Sequence, residues 1–124
     1  MSQKGCTQFT AVFTVAPEHA AEAEHIFQSH AAWMERTHHR DGEKQLLRYN
    51  LSKAPQLVNP IDPSQGTTEN MVYVLSEVYA KPVGLQDHWE QGQSNWEDFG
   101  VMMAWMNKVD VTLVNGSEIV RSLW

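Results

Sequence analysis

Cysteine is nearly absent from this 124-residue chain, in which Cys6 stands alone. No intramolecular disulfide can form, so the fold must rest on an apolar core, and a reducing, cytoplasmic setting is the expectation. A single thiol near the start of the chain lacks the positioned, electropositive surroundings of a catalytic cysteine. Positive charge is also scarce: 9 Lys and Arg face 15 Asp and Glu, giving a net charge of −6 with histidines neutral. Without a Lys/Arg cluster, neither nucleic acid nor an anionic membrane is an expected partner. No apolar run approaches membrane-spanning length, and the opening Met-Ser-Gln-Lys-Gly lacks the apolar segment of a signal peptide. Glycine-rich phosphate loops, the Gly-x-Ser-x-Gly nucleophile turn and His-Glu-x-x-His are all missing. The expectation is a soluble single domain that uses no cofactor.

What is present is a sequence of clear periodicities. Residues Gln8 to Val15 alternate around Phe9, Ala11, Phe13 and Val15, which predicts a strand. Pro17 suits a first helical turn, and Ala23, Ile26, Phe27, His30, Trp33, Met34 and Thr37 follow at steps of three and four. That helix runs out near His38, His39 and Arg40, before the turn pair Asp41-Gly42. A second strand is predicted over Glu43 to Ser52, with Leu47, Tyr49 and Leu51 on one face and Leu46, Arg48 and Asn50 on the other. Residues Lys53 to Asn70 hold three prolines and no period, which predicts a long loop.

Met71 to Tyr79 is the most apolar strand, with Val72, Val74 and Val78 on one face and Tyr73, Leu75 and Tyr79 on the other. Such a strand needs cover on both sides, and one layer of helices supplies only one. After Pro82 a helical stripe forms from Leu85, Trp89 and Gly92. Ser94-Asn-Trp-Glu97 has the capping-box pattern that restarts a helix through Trp96, Phe99, Met103 and Met106. Val109 to Val114 predicts a fourth strand, Asn115-Gly116 a hairpin turn, and Glu118 to Leu123 its return arm.

The order strand–helix–strand–strand–helix–strand is that of the ferredoxin-like split βαβ fold, an α+β domain with an antiparallel four-stranded sheet and helices on one face. The bare sheet face predicts a homodimer.

Several segments carry a family likeness. Leu47-Arg48-Tyr49-Asn50-Leu51, Val74-Leu75-Ser76-Glu77-Val78-Tyr79 and Leu85-Gln-Asp-His88-Trp89, with Trp96 and Phe99 as aromatic anchors, resemble the antibiotic-biosynthesis-monooxygenase-like group of the dimeric α+β-barrel superfamily. The resemblance spans residues 8 to 114. It departs from the family pattern in the stretch 53–70 and in the terminal segment ending at Trp124. It implies a dimeric α+β barrel and a cofactor-independent monooxygenase acting on phenolic or quinol-like molecules. The haem-degrading branch is disfavoured, because Phe-Gly-Val-Met-Met-Ala-Trp-Met at 99–106 has no histidine and the first strand has no asparagine.

Within that expectation His88 is the candidate base and Glu77 its partner, with a structural brace between helix and strand as the competing role. His30, Trp33, Tyr49, Trp89 and Trp96 are candidates for a substrate pocket, and Arg48 and Asn50 for addressing a phenolate. The Trp/Met group of Trp89, Trp96, Met102, Met103, Trp105 and Met106 reads as core or as an aromatic cavity, with Trp105 off the main stripe and facing a partner. No metal is expected: Glu22-x-x-His25 lacks the second motif and extra carboxylates of a di-iron bundle, and the adjacent His38 and His39 read as solvated. The alternative to an enzyme is a non-catalytic dimeric protein, either stress-related or binding a small apolar ligand.

Overall fold

The computed structural model describes residues 2–124. Strand β1 (Thr7–Val15) forms where the sequence alternates, and it lies inside the sheet, flanked by β3 (Thr67–Tyr79) and β4 (Asp110–Glu118). With β2 (Leu46–Leu57) at the other edge, the strand order is β2-β3-β1-β4 and every pairing is antiparallel. Helix α1 (Ala20–Thr37) joins β1 to β2, while α2 (Pro82–Asn95) and α3 (Phe99–Met106) join β3 to β4. This is the α+β, ferredoxin-like split βαβ arrangement that the order of periodicities predicts.

Burying a large apolar side chain stabilises by roughly 1.5–3 kcal/mol, so Phe9, Phe13 and Val15 decide which face of β1 turns inward. All three are buried, as are Tyr73, Leu75 and Tyr79, their neighbours on β3. Helix α1 meets that face with Ala23, Ile26, Phe27, His30, Trp33 and Met34, the stripe predicted from spacing. Phe27 stacks on Tyr73 with ring centroids 5.2 Å apart. The other sheet face carries Thr10, Val12, Thr14, Val72 and Val74, all half-buried, and Val114, which is exposed.

Five expectations need correction. Half of the stretch 53–70 is strand: β2 continues to Leu57 and β3 already begins at Thr67. Pro55 misled because proline is unfavourable inside a sheet, yet β2 is an edge strand, where a missing N–H costs little. The turn between these arms is ordered by Asp62, whose Oδ1 accepts the Ser64 backbone N–H at 3.1 Å and the Ser64 hydroxyl at 2.6 Å. At the start of β2 the register slips from Leu46↔Tyr79 to Arg48↔Val78. The slip packs Leu46, not Leu47, against the core.

Asn115-Gly116 makes no hairpin, since β4 runs through it to Glu118. Gly116 has φ +102° and lies at a bulge, where Gln8 pairs with Ser117 but Phe9 pairs with Asn115. The positive φ signalled by Asn-Gly is real and serves a bulge instead of a turn. Beyond it, in place of a return arm, Ile119 N–H donates to the Cys6 carbonyl at 2.9 Å and Gly5 N–H to the Ile119 carbonyl at 2.8 Å. Ser94 caps no helix: its hydroxyl bonds the Gln91 carbonyl within α2, and α3 starts only after Asp98. Trp105 does not face outward. It is buried, with its ring 5.5 Å from Phe13 and 5.7 Å from Phe27.

Candidate functional site

Three elements each carry one polar residue into the interior at the same level. The α1 stripe, otherwise apolar, brings in His30. Strand β3 brings Glu77, which lies opposite Phe9 on β1 and Tyr49 on β2. Helix α2 brings His88, one helical step beyond Leu85 on its buried face. Gly84 allows α2 to sit this close, since a Cβ there would lie 2.9 Å from Tyr79 Cδ1 and 3.0 Å from the Lys44 carbonyl oxygen.

The geometry is defined by a few contacts. Glu77 is fully buried; its Oε1 accepts the Tyr79 hydroxyl at 2.5 Å, and its Oε2 has no hydrogen-bond partner among the described residues. His30 Nε2 stands 4.0 Å from Glu77 Oε2, and His88 Nδ1 stands 3.8 Å from Glu77 Oε1. The expected Glu77–His88 pair is therefore close but not hydrogen-bonded. His88 Nδ1 is instead 2.8 Å from His38 Nε2, and His30 Nδ1 is 2.9 Å from the Tyr49 hydroxyl. The Thr37 hydroxyl donates to the Trp33 carbonyl at 2.8 Å, so its oxygen accepts from His38 Nδ1 at 3.0 Å. This assigns the protons along the chain: His38 carries its hydrogen on Nδ1, and its Nε2 accepts from His88 Nδ1–H.

Burial sets the charges. It lowers His88 to about 2, with His30 and His38 adding to the shift, and lowers His30 to about 3, with His38 contributing. His38 falls to about 4 for the same reason, against the pull of Asp87. Burial raises the Glu77 carboxyl to about 7, with the Tyr79 hydroxyl partly opposing. The Tyr49 and Tyr79 hydroxyls are pushed up by burial and by Glu77. Two neutral imidazoles, one of them hydrogen-bonded to the neutral His38, thus flank a carboxyl that changes charge near neutrality. The Glu77 carboxyl therefore takes up a proton more readily than the His88 imidazole.

His30 and His88 line a small chamber between sheet and helices, closed by Phe9, Trp33, Trp96, Met103 and other apolar side chains. Its volume is about 30 Å³, enough for about one water molecule and far too little for an aromatic ring. Trp89 also borders the chamber, and on its other side it borders an open groove of about 800 Å³ with Leu85, Gln86, Asn115 and Gly116. The Trp89 indole N–H donates to Asn115 Oδ1 at 2.8 Å, which holds the ring between the two spaces. Trp33 stacks on Trp96 with centroids 5.5 Å apart. Their N–H groups donate to Asn95 Oδ1 at 2.6 Å and to Ser29 Oγ at 3.0 Å.

Of the residues singled out from sequence, the structure gathers His30, Trp33, Tyr49, Glu77, His88, Trp89 and Trp96. It does not gather Arg48 and Asn50. The register sets these with Val78 and Ser76 on the face turned away from the helices, and both are exposed. His38 and Tyr79 belong to the site and were missed. His38 is buried, although its position beside His39 suggests a solvated helix end. The signal was present: His38 falls four residues after Met34, on the buried stripe.

Comparison with family models, with curated proteins and with solved structures found no match to this chain. What it can do must be argued from the site.

Proposed function

We propose that the chain is a monooxygenase acting on a small, electron-rich aromatic or quinol-like molecule, of the kind its short motifs suggest. The observation that carries this reading is Glu77 Oε2, a buried carboxyl oxygen without a hydrogen-bond partner, beside two imidazoles that face an apolar chamber. A dehydrated carboxylate flanked by neutral imidazoles is suited to removing a proton from an apolar acid. The aromatic molecule docks in the groove against Trp89 and reaches His88 when that ring swings aside, and the chamber is of a size for dioxygen. An activated methylene, R₂CH₂, loses one proton toward Glu77 by way of the imidazoles. Its carbanion supplies the electrons, and a C–O bond forms to dioxygen. The resulting hydroperoxide, R₂CH–OOH, loses water to give R₂C=O. One oxygen atom ends in the product and one in water, so no external reductant is required. The free thiol Cys6 fits a cytoplasmic setting.

The same reading includes a homodimer that covers the open sheet face, where Val12, Val72, Val74 and Val114 lie among threonines, completing an α+β barrel. Among the described residues no helix is long and apolar enough to cross a membrane.

Oxygen uptake with a panel of anthrones and hydroquinones tests the activity. Uptake above buffer that is lost in Glu77→Gln supports it; uptake equal to buffer, or unchanged in both Glu77→Gln and His88→Ala, refutes it. One observation favours the rival, a non-catalytic dimeric protein: a chamber of about 30 Å³ admits no aromatic substrate unless the side chains that line it move.

A further inference from the structure

His30, Glu77 and His88 come from three different elements, yet one ring nitrogen of each histidine and one carboxyl oxygen all lie within 4.8 Å of one another. We propose that they form a binding site for a divalent first-row transition-metal ion, held by two imidazoles and one carboxylate.

The donor set is the first argument. Two imidazoles and a carboxylate suit zinc, iron, cobalt or manganese, and they suit magnesium or calcium poorly because those ions prefer all-oxygen surroundings. The spacing is the second. With bonds of about 2.1 Å, a tetrahedral ion holds its donors about 3.4 Å apart. Here the three ligand atoms lie within 4.8 Å of one another, with His30 Nε2 standing 4.0 Å from Glu77 Oε2. Inward shifts of about 1.4 Å or less between donors close the site, which rotations of the three side chains supply.

The free oxygen is the third argument. Buried polar atoms in folded proteins have partners, and Glu77 Oε2 has none among the described residues. It points to an occupant, since His30 Nε2, at 4.0 Å, is too distant to bond it.

The surrounding shell is the fourth. Ligands of protein-bound metals are typically held by an outer hydrogen bond that fixes their orientation. Tyr49 does this for the far nitrogen of His30, and Tyr79 does it for the second oxygen of Glu77. Binding through His88 Nδ1 exchanges the His38–His88 hydrogen bond for a metal bond. A surface hollow lined by Met34, Glu35, His38, Arg48 and Tyr49 gives an approach to this side of the cluster. The chamber bordered by His30 and His88 leaves room for one further small ligand on the ion.

The inference does not rest on the oxygenase reading. With an ion present, a phenolic substrate would lose its proton on coordination and not to Glu77, so either proposal can stand without the other.

The test uses the full chain, stripped with a chelator, desalted and titrated with cobalt(II). Visible d–d absorption reports inner-sphere binding, and equilibrium dialysis reports stoichiometry. The expected result is one ion per chain, with a rise in the thermal midpoint. Glu77→Gln, which keeps an acceptor for the Tyr79 hydroxyl, and His30→Gln should each weaken binding by about a hundredfold or more. Tyr49→Phe should weaken it by about tenfold without abolishing it. His25→Ala, on the surface, should change nothing. Circular dichroism establishes that each variant is folded, and if His30→Gln is not, Glu77→Gln and His88→Gln decide. Folded wild type that takes up no cobalt, or uptake that survives in Glu77→Gln and His88→Gln alike, overturns the proposal.

Discussion

Replacing Glu77 with glutamine in the metal-free chain should remove one pH-dependent contribution to stability, and the size of that contribution follows from burial. The carboxyl moves from an ordinary value of 4.5 to about 7 because the interior disfavours its charged form. A pKa raised on folding means that the folded state holds the proton more tightly. The stabilisation is complete below 4.5 and is lost as pH rises through 7. At 1.36 kcal/mol per unit, the total is about 3 kcal/mol, of which about 2 kcal/mol falls between about pH 5.5 and about pH 8.5. Glutamine is isosteric and can accept the Tyr79 hydroxyl, but it does not titrate. Urea unfolding of both proteins, with chelator present, at these two pH values isolates the Glu77 contribution, because the histidine contributions are common to both. Relative to the variant, wild type should lose about 2 kcal/mol on going to the higher pH, a midpoint shift of about 1 M urea. A gap that stays flat, or that changes in the opposite direction, refutes the claim that Glu77 is dehydrated and without a compensating cation.

Other consequences are equally direct. Gly84→Ala gains up to about 1 kcal/mol of helix propensity, but its Cβ would meet the Lys44 carbonyl at 3.0 Å and Tyr79 at 2.9 Å. Overpacking should win and lower stability by about 1–3 kcal/mol in urea unfolding. Gly100→Ala in α3 has nothing within 4 Å of the new Cβ and should stabilise by about 0.5–1 kcal/mol; equal effects at the two sites would contradict the close approach of α2. Acid should unfold the chain steeply below about pH 6.5, because His30, His38 and His88 are neutral when folded and take up protons when unfolded. Their folded values are depressed, so their stabilisation is present above 6.5 and lost as pH falls. His88→Phe should flatten the acid limb; an unchanged limb would place the cause elsewhere. Val74→Lys on the open sheet face should turn a dimer into a monomer in sedimentation at micromolar concentration, and a wild type that is already monomeric rules out the sheet-to-sheet dimer.

Much of the fold was legible because its signals are local. Phe9, Ala11, Phe13 and Val15 alternate, and the α1 stripe repeats at helical spacing, so the strand and the helix follow from the sequence itself. Errors arose where a local signal has two physical uses. Pro55 reads as a strand breaker and is harmless at an edge, while Asn115-Gly116 reads as a hairpin turn and serves as a bulge. Ser94 and Asp98 both precede helical residues, and only the tertiary position of Trp96 decides where the chain bends. The site was legible as residue types but not as geometry. His30, Glu77 and His88 could each be selected as polar residues on apolar faces, yet their convergence depends on the strand order and on the closeness of α2 to the sheet. Arg48 and Asn50 alternate with Tyr49 as the sequence suggests and so lie on the exposed face, whereas the slipped residue at Leu47 carries Leu46 to the core side, which sequence alternation cannot show.

Whether the cluster is a brace or a working site turns on its cost. Three neutral imidazoles and a carboxyl would pin α1 and α2 to β3 no better than leucines of similar volume, since replacing buried charged or polar groups with well-packed apolar ones is often neutral or stabilising. Tyr79 and Tyr49 each satisfy one atom of the cluster, and His38 satisfies another, which shows that the fold can supply hydrogen bonds at this depth. Glu77 Oε2 nonetheless remains without one, in a protein where the only other buried side-chain atom so placed, among the described residues, is Trp105 Nε1. An indole N–H left over in a crowded aromatic core is a by-product of packing Trp105 against Phe13 and Phe27. A carboxyl oxygen left over between two imidazoles is different, because its neighbours have the chemistry to use it. That asymmetry is why the proton acceptor and the metal site both centre on Glu77, and why neither is assigned to the larger groove beside Trp89.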